Sequence, residues 1–152
     1  MFADVPFFFS IIMPDKKTMK TILLVDDESA WLKTMKAILQ SKSIKVVTAE
    51  TGEDALSQLS QKKKPDLILC DVRMPVMNGY DFFLKAKELP KIGKVPFVFM
   101  SNFDDFDARN VAKRLGADDY VTKPLSIEEA NTLVTELLTR FSKKTLSLSN
   151  SK

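Results

Sequence analysis

The sequence predicts an α/β fold: a doubly wound, five-stranded parallel sheet with five helices on its two faces. Two observations support this prediction. Short apolar runs alternate along the chain with stretches in which apolar residues recur at helical spacing. The apolar runs are uninterrupted by polar residues, which is typical of strands buried on both faces. This alternation implies βαβ units, whose right-handed crossovers place helices on both sides of the sheet.

The expected strands are five apolar runs, at residues 21–25, 44–49, 67–70, 95–101 and 120–122. The third run is bounded by Pro65 before it and by Pro75 and the turn-forming pair Asn78-Gly79 after it. Pro96 lies near the start of the fourth run, where a proline disturbs a strand least.

Helical periodicity predicts five helices between and after these strands. They are expected at about 31–39, from Gly52 to the lysines at 62–64, and at 80–89, 105–115 and 126–141. Gly116 is expected to end the fourth helix, and Ser126 with Glu129 has the spacing of a capping box. The residues expected to face inward are Trp31, Leu32, Met35, Ile38, Leu39, Ala55, Leu56, Leu59, Phe83, Leu84, Phe106, Val111, Leu115, Leu133, Val134, Leu137, Leu138 and Phe141.

The two ends of the chain differ from this pattern, so we expect one domain over residues 19–141. Residues 1–18 are rich in Phe and Ile but are interrupted by prolines, are too short to span a bilayer, and lack the features of a secretory signal. They are expected to be a disordered or loosely docked extension, or a translated leader before a start at Met19. A membrane-surface or partner-docking segment is the alternative. The Ser- and Lys-rich residues 142–152 are expected to be a disordered tail.

Composition restricts the chemistry further. A chain of 152 residues with 45% hydrophobic residues suits one domain with a real core. The net charge is only +3, and the lysines are interspersed with acids, which indicates solvated faces rather than a nucleic-acid-binding surface. Cys70 is the only cysteine, so no intrachain disulfide is possible, which fits a cytoplasmic location. There is no His, which excludes the usual general base and the commonest metal ligand.

Polar side chains stand where four of the apolar runs end. Asp26 and Asp27 follow the first run, Asp71 the third, Ser101 ends the fourth, and Lys123 follows the fifth. The carboxyl ends of parallel strands share one edge, and ligands of open α/β sheets bind there. Three converging carboxylates would repel one another, and a hard cation such as Mg²⁺ or Mn²⁺ relieves that repulsion. A lysine and a hydroxyl beside it would suit the oxygens of a phosphoryl group.

This set of residues resembles the receiver domain of bacterial-type response regulators over roughly residues 20–141. The shared pattern is Asp26-Asp27, then Asp71-x-x-Met-Pro-x-x-Asn-Gly, then Ser101, then Tyr120-x-x-Lys-Pro. The combination is highly specific, although no single piece is. The resemblance implies a flavodoxin-like receiver fold and a stand-alone, chemotaxis-type switch of a two-component system or phosphorelay.

The resemblance also implies a metal and an acceptor. Asp71 would be the phosphoacceptor, taking a phosphoryl group from a histidine kinase or a histidine phosphotransfer protein to form an acyl phosphate. Asp27 would bind Mg²⁺ or Mn²⁺ directly, and Asp26 would hold the ion through water. Asp71 and the backbone carbonyl of Arg73 would complete the protein ligands.

Three further roles follow from the resemblance. Lys123 would bind a phosphoryl oxygen. Ser101 would donate its hydroxyl to another oxygen and move on phosphorylation, and the Tyr120 ring would then shift to change the surface of the fourth helix, fifth strand and fifth helix. The family often has a cis peptide at the position of Lys123-Pro124.

Bulky residues near the acceptor depart from the family pattern. Asn102 stands where Ala or Gly is usual, Phe103 stands where smaller or polar residues are common, and Arg73 flanks the path of the attacking water. The hypothesis is that this rim slows hydrolysis of the acyl phosphate. Alternatively, Asn102 impairs phosphorylation altogether.

Three functions compete at this stage. The first is the phosphorylation switch, which undergoes only self-phosphorylation and slow autodephosphorylation and is not a turnover enzyme. Its output would be a downstream protein target, with no direct DNA binding and no membrane span. The second is a degenerate receiver that binds partners constitutively, which the intact acid, hydroxyl and lysine set disfavours. The third is an aspartate-nucleophile phosphatase, which resembles Asp-x-Asp at its nucleophile, whereas this chain has Arg73 at the second position.

Overall fold

The structure is a computed structural model that describes residues 19–41 and 43–150, with side chains as far as residue 142. The predicted extension at residues 1–18 and the last two residues of the predicted tail lie outside the described residues. Strands and helices alternate along the chain, in the order β1 (Lys20–Val25), α1 (Ser29–Leu39), β2 (Ile44–Ala49), α2 (Gly52–Gln61), β3 (Leu67–Asp71), α3 (Gly79–Glu88), β4 (Phe97–Ser101), α4 (Phe106–Leu115), β5 (Asp119–Thr122) and α5 (Ile127–Asn150).

The five strands form one parallel sheet in the order β2-β1-β3-β4-β5. The predicted fold is therefore confirmed. Strands β1 and β3, which are separated by β2 in the chain, lie side by side in the sheet, and their register pairs Val25 with Cys70. The chain segments that leave β1 and β3 consequently begin at the same edge of the sheet.

Two apolar layers cover the two faces of the sheet. One layer joins the sheet to α2, α3 and α4, and contains an aromatic group in which Phe97 and Phe99 pack edge to face with ring centroids 5.0 Å apart. The other layer joins the sheet to α1 and α5. Strands β3 and β4 are buried along their whole length, as uninterrupted apolar runs predict.

Three predicted inward positions on α3 and α4 are wrong. Leu84 is 48% exposed, and Phe82 is buried with Phe83, because the buried face of α3 recurs every three or four residues from Gly79. Phe106 is 75% exposed, because small Ala112 is the residue of α4 that lies against the sheet. Val111 is also exposed, at 38%, whereas Leu115 packs partly against the core as predicted.

The last helix is longer than expected. It was predicted to end near Phe141, but α5 continues to Asn150. The disorder predicted for residues 142–152 stays a prediction. This stretch contains neither Gly nor Pro, and nothing in it ends a helix. The start of α5 is as predicted: the Ser126 hydroxyl accepts from the Glu129 amide at 3.0 Å.

The described residues contain no cis peptide bond, so the cis bond expected between Lys123 and Pro124 is not present. The trans form is the intrinsically favoured one before proline. Among the described residues, no helix has the length and apolar character needed to cross a bilayer.

Candidate functional site

Three carboxylates meet at the carboxyl edge of the sheet. Asp26 and Asp27 directly follow β1, and Asp71 is the last residue of β3. One carboxylate oxygen from each lies within 4.8 Å of the others. Asp26 and Asp71 are buried and Asp27 is exposed, so the group opens to solvent on one side. The sequence predicted this convergence, and the pairing of β1 with β3, which it did not predict, causes it.

Lys123 enters the same group from the end of β5. Its amide donates to the Ser101 carbonyl at 2.8 Å, which joins the ends of β4 and β5. Its ammonium lies 2.5 Å from Asp26 Oδ2 and 3.6 Å from Asp71 Oδ2. The Lys123 side chain is only 3% exposed, so these carboxylates balance a charge that water scarcely reaches.

Burial controls the acidity of this group. Burial raises the pKa of Asp71 to about 6, helped by the charge of Asp26 and opposed by Lys123. Burial also raises the pKa of Asp26, although the hydrogen bond from Lys123 lowers it. For Lys123, burial favours the neutral amine, but the hydrogen bond and charge of Asp26 outweigh it and the pKa is raised. Lys123 is therefore fully charged at neutral pH.

Ser101 supplies the hydroxyl of the site. It is the last residue of β4 and is 6% exposed. Its Oγ accepts from the Phe103 amide at 3.3 Å, which leaves the hydroxyl hydrogen available to donate elsewhere.

A cavity of about 190 Å³ opens at these residues. It is lined by Asp27, Glu28, Asp71, Arg73, Ser101, Asn102 and Phe103. Asn102 and Phe103 thus lie on the rim where the sequence placed them, and Phe103 is 65% exposed. The amide of Arg73 donates to Asp71 Oδ1 at 3.4 Å. That contact orients the carboxylate, whereas the Arg73 carbonyl as a metal ligand stays a prediction.

A larger open groove of about 680 Å³ lies between the β3–α3 loop and α4. Arg73 borders both spaces, but Asp26, Asp71, Ser101 and Lys123 do not line the larger one. We assign the functional site to the smaller cavity, because Asp27, Asp71 and Ser101 line it. The Lys123 ammonium lies behind it, 3.6 Å from Asp71 Oδ2.

Tyr120 lies behind the site with its ring turned inward, and is 3% exposed. Its hydroxyl donates to the Phe103 carbonyl at 3.4 Å. The Arg109 guanidinium lies 5.1 Å from the ring centroid and donates to the Tyr120 carbonyl at 3.0 Å. The Tyr120 side chain is therefore in contact with the rim of the cavity through its hydroxyl, and its role as a switch stays a prediction.

Sequence reasoning missed two neighbours of the site. Glu28 lines the cavity and lies 3.7 Å from the Lys123 ammonium, and its position directly after Asp27 was the available signal. Arg109 contacts Tyr120 from α4, and no sequence pattern pairs two residues so far apart in the chain.

The sequence matches the response regulator receiver domain family over residues 22–135. The chain belongs to that family. Receiver domains are phosphorylation-dependent switches of two-component signalling, and this chain is a signalling protein of that class.

Relatives agree with this assignment. Over 133 residues the chain is 35% identical to the "Probable transcriptional regulator ycf27" of Guillardia theta, covering 88% of this chain and 51% of that protein. The chain thus spans about half the length of the curated relatives it matches.

Solved structures are similar over more of their length. A CheY-like receiver domain protein from Methanospirillum hungatei JF-1 is 26% identical with a TM-score of 0.72, covering 83% of this chain and 98% of that one. The phosphorylated cyanobacterial phytochrome response regulator RcpA is 25% identical with a TM-score of 0.68, covering 78% and 91%.

Proposed function

We propose that Asp71 accepts a phosphoryl group from a phosphohistidine of a partner protein, and that the resulting switch signals through protein contacts. One observation carries the proposal. The Asp71 carboxylate opens into the 190 Å³ cavity, beside two further carboxylates and the buried ammonium of Lys123. The related receiver RcpA, whose structure is of the phosphorylated protein, supports the same chemistry.

The transfer forms one bond and breaks one. An Asp71 carboxylate oxygen attacks phosphorus, the N–P bond of the phosphohistidine breaks, and its electron pair returns to the imidazole nitrogen. With a pKa of about 6, Asp71 is mostly the nucleophilic carboxylate at pH 7. Lys123 would then balance charge on a phosphoryl oxygen, and the Ser101 hydroxyl would donate to another.

The residues present fit a divalent cation. Mg²⁺ prefers oxygen ligands and keeps several of its waters. The three carboxylates have oxygens within 4.8 Å of one another, and one carboxylate is open to solvent, which leaves room for such waters. Asp27, Asp71, the carbonyl of Arg73 and, through water, Asp26 would hold Mg²⁺ or Mn²⁺. When bound, the ion supplies charge neutralisation for the phosphoryl oxygens.

These 152 residues contain no histidine, so a phosphohistidine donor would lie outside this sequence. A histidine kinase or a histidine phosphotransfer protein is the proposed donor, and a protein target the proposed output. We infer a switch rather than a turnover catalyst. The absence of direct DNA binding stays a prediction.

The test is the intact mass of the protein after incubation with Mg²⁺ and phosphoramidate or acetyl phosphate. Wild type should gain one phosphoryl group and Asp71→Asn none. Ser101→Ala should still accept the group, because the nucleophile remains. Failure of wild type to gain mass with these donors and with a range of phosphohistidine proteins would overturn the proposal in favour of constitutive partner binding. An equal adduct on Asp71→Asn would place the acceptor elsewhere.

A further inference from the structure

Trp31 contacts the ammonium of Lys123 with its indole ring. The ring centroid lies 5.0 Å from Nζ, within the roughly 6 Å at which an ammonium is attracted to an aromatic face. Trp31 lies in the first turns of α1, half-buried, and packs against the core shared by α1 and α5. The contact joins α1 to the end of β5 beside the acceptor site.

The ring differs in kind from the other neighbours of this ammonium. Asp26, Asp71 and Glu28 are carboxylates at 2.5, 3.6 and 3.7 Å. The nearest of them is Asp26, so in this structure Lys123 is pulled away from the acceptor. A neutral aromatic face attracts the charge without competing as a hydrogen-bond acceptor. The Lys123 side chain is only 3% exposed, so water scarcely reaches its ammonium.

We propose that Trp31 is a positioning residue for phosphoryl transfer. Its ring keeps the Lys123 ammonium dehydrated and within reach of both Asp26 and Asp71. Lys123 can then move to a phosphoryl oxygen on Asp71 without first becoming hydrated. The inference rests on the proposed function of Asp71. The inference predicts that loss of the Trp31 ring changes the rate of phosphoryl transfer rather than the binding of the phosphodonor.

The kinetic test compares Trp31→Leu, Trp31→Phe and a control, Ile38→Ala. Ile38 packs partly into the same core from α1 but offers the ammonium neither an aromatic face nor a carboxylate, so its truncation weakens the same helix packing without removing such a partner of Lys123. Phosphorylation is followed by intact mass over a range of phosphoramidate concentrations with Mg²⁺. Melting temperatures show that each variant is folded.

Trp31→Leu should lower the rate constant at saturating donor by about threefold to thirtyfold, the range that cation–π energies imply, with little change in the half-saturating concentration. Trp31→Phe should recover part of the loss. Ile38→Ala should lower the melting temperature but keep the rate constant. An unchanged rate in Trp31→Leu, or an equal loss in Ile38→Ala, overturns the inference.

Fluorescence tests the contact without donor or metal, since Trp31 is the only tryptophan of the chain. Lys123→Met should change the emission of Trp31, whereas Lys36→Met, at an exposed position of α1, should not. Identical spectra for Lys123→Met and wild type overturn the inference.

The two proposals fail in distinguishable ways. A wild type that takes no phosphoryl group overturns the proposed function and the positioning role together. A wild type that is labelled on Asp71, with Trp31→Leu labelled at the same rate, overturns the positioning role alone.

Discussion

The α-carbon of Gly79 packs against the backbone carbonyl of Asp71. A Cβ at residue 79 would clash with that oxygen and lie 2.9 Å from the Cα of Val72, closer than real Cβ atoms come. The Gly79 amide also donates to the Val72 carbonyl at 2.8 Å. The first residue of α3 therefore holds the end of β3, and with it the proposed acceptor.

Gly79→Ala should destabilise the protein and disturb the acceptor together. The new methyl group meets backbone rather than a flexible side chain, so we expect a loss of about 1–3 kcal/mol in the free energy of unfolding. Urea unfolding measures it. Gly93→Ala is the matched control, since the nearest atom there is the Lys87 carbonyl oxygen at an ordinary 3.5 Å. Equal stability of the two variants would contradict the packing argument.

Asp71→Asn should change how stability depends on pH in metal-free protein. The folded pKa of about 6 lies above the ordinary 3.8, so the folded state binds the proton more tightly than the unfolded state. Wild-type stability should therefore fall as pH rises from about 4 to about 6, by up to about 3 kcal/mol, and then level off. The variant lacks this fall. Denaturant titrations in EDTA from pH 4 to 8 measure the difference, and parallel pH profiles would refute the assignment.

Mg²⁺ should stabilise the folded protein, because an ion that binds only the folded state shifts the unfolding equilibrium. Asp27→Asn should abolish most of the rise in melting temperature with Mg²⁺. Glu28→Gln provides the comparison, because Glu28 is adjacent in sequence and lines the same cavity but is not one of the three converging carboxylates. If Glu28→Gln loses the response and Asp27→Asn keeps it, the ligand assignment is wrong.

Asn102→Ala and Phe103→Ala should each shorten the lifetime of the acyl phosphate. Both side chains border the cavity that an attacking water must enter, and Phe103 is bulky. Loss of the phosphoryl mass with time measures the lifetime. Phe106→Ala is the control, since Phe106 is an exposed aromatic residue nearby in the chain that does not line the cavity. Unchanged lifetimes in the two rim variants would end the hypothesis.

Local patterns were sufficient for most of the fold. A strand buried on both faces is an uninterrupted apolar run, whereas a helix buried on one face has apolar residues at helical spacing. These two patterns predicted five strands and five helices. They failed where packing depended on shape. On α4, Phe106 is the larger apolar residue, yet Ala112 is the one that fits against the sheet.

The sequence by itself determined which side chains meet at the candidate site. Parallel strands bring their carboxyl ends together whatever their exact packing. The residues at or just after those ends are Asp26, Asp27, Asp71, Ser101 and Lys123. Only the tertiary structure decided the details of that edge. The Lys123 ammonium lies nearer to Asp26 than to Asp71, and the Trp31 ring contacts it. Residue 79 must be glycine because it lies close to the backbone of Asp71 and Val72, not because of its turn. Each of these depends on contacts between residues distant in the chain, which local patterns do not specify.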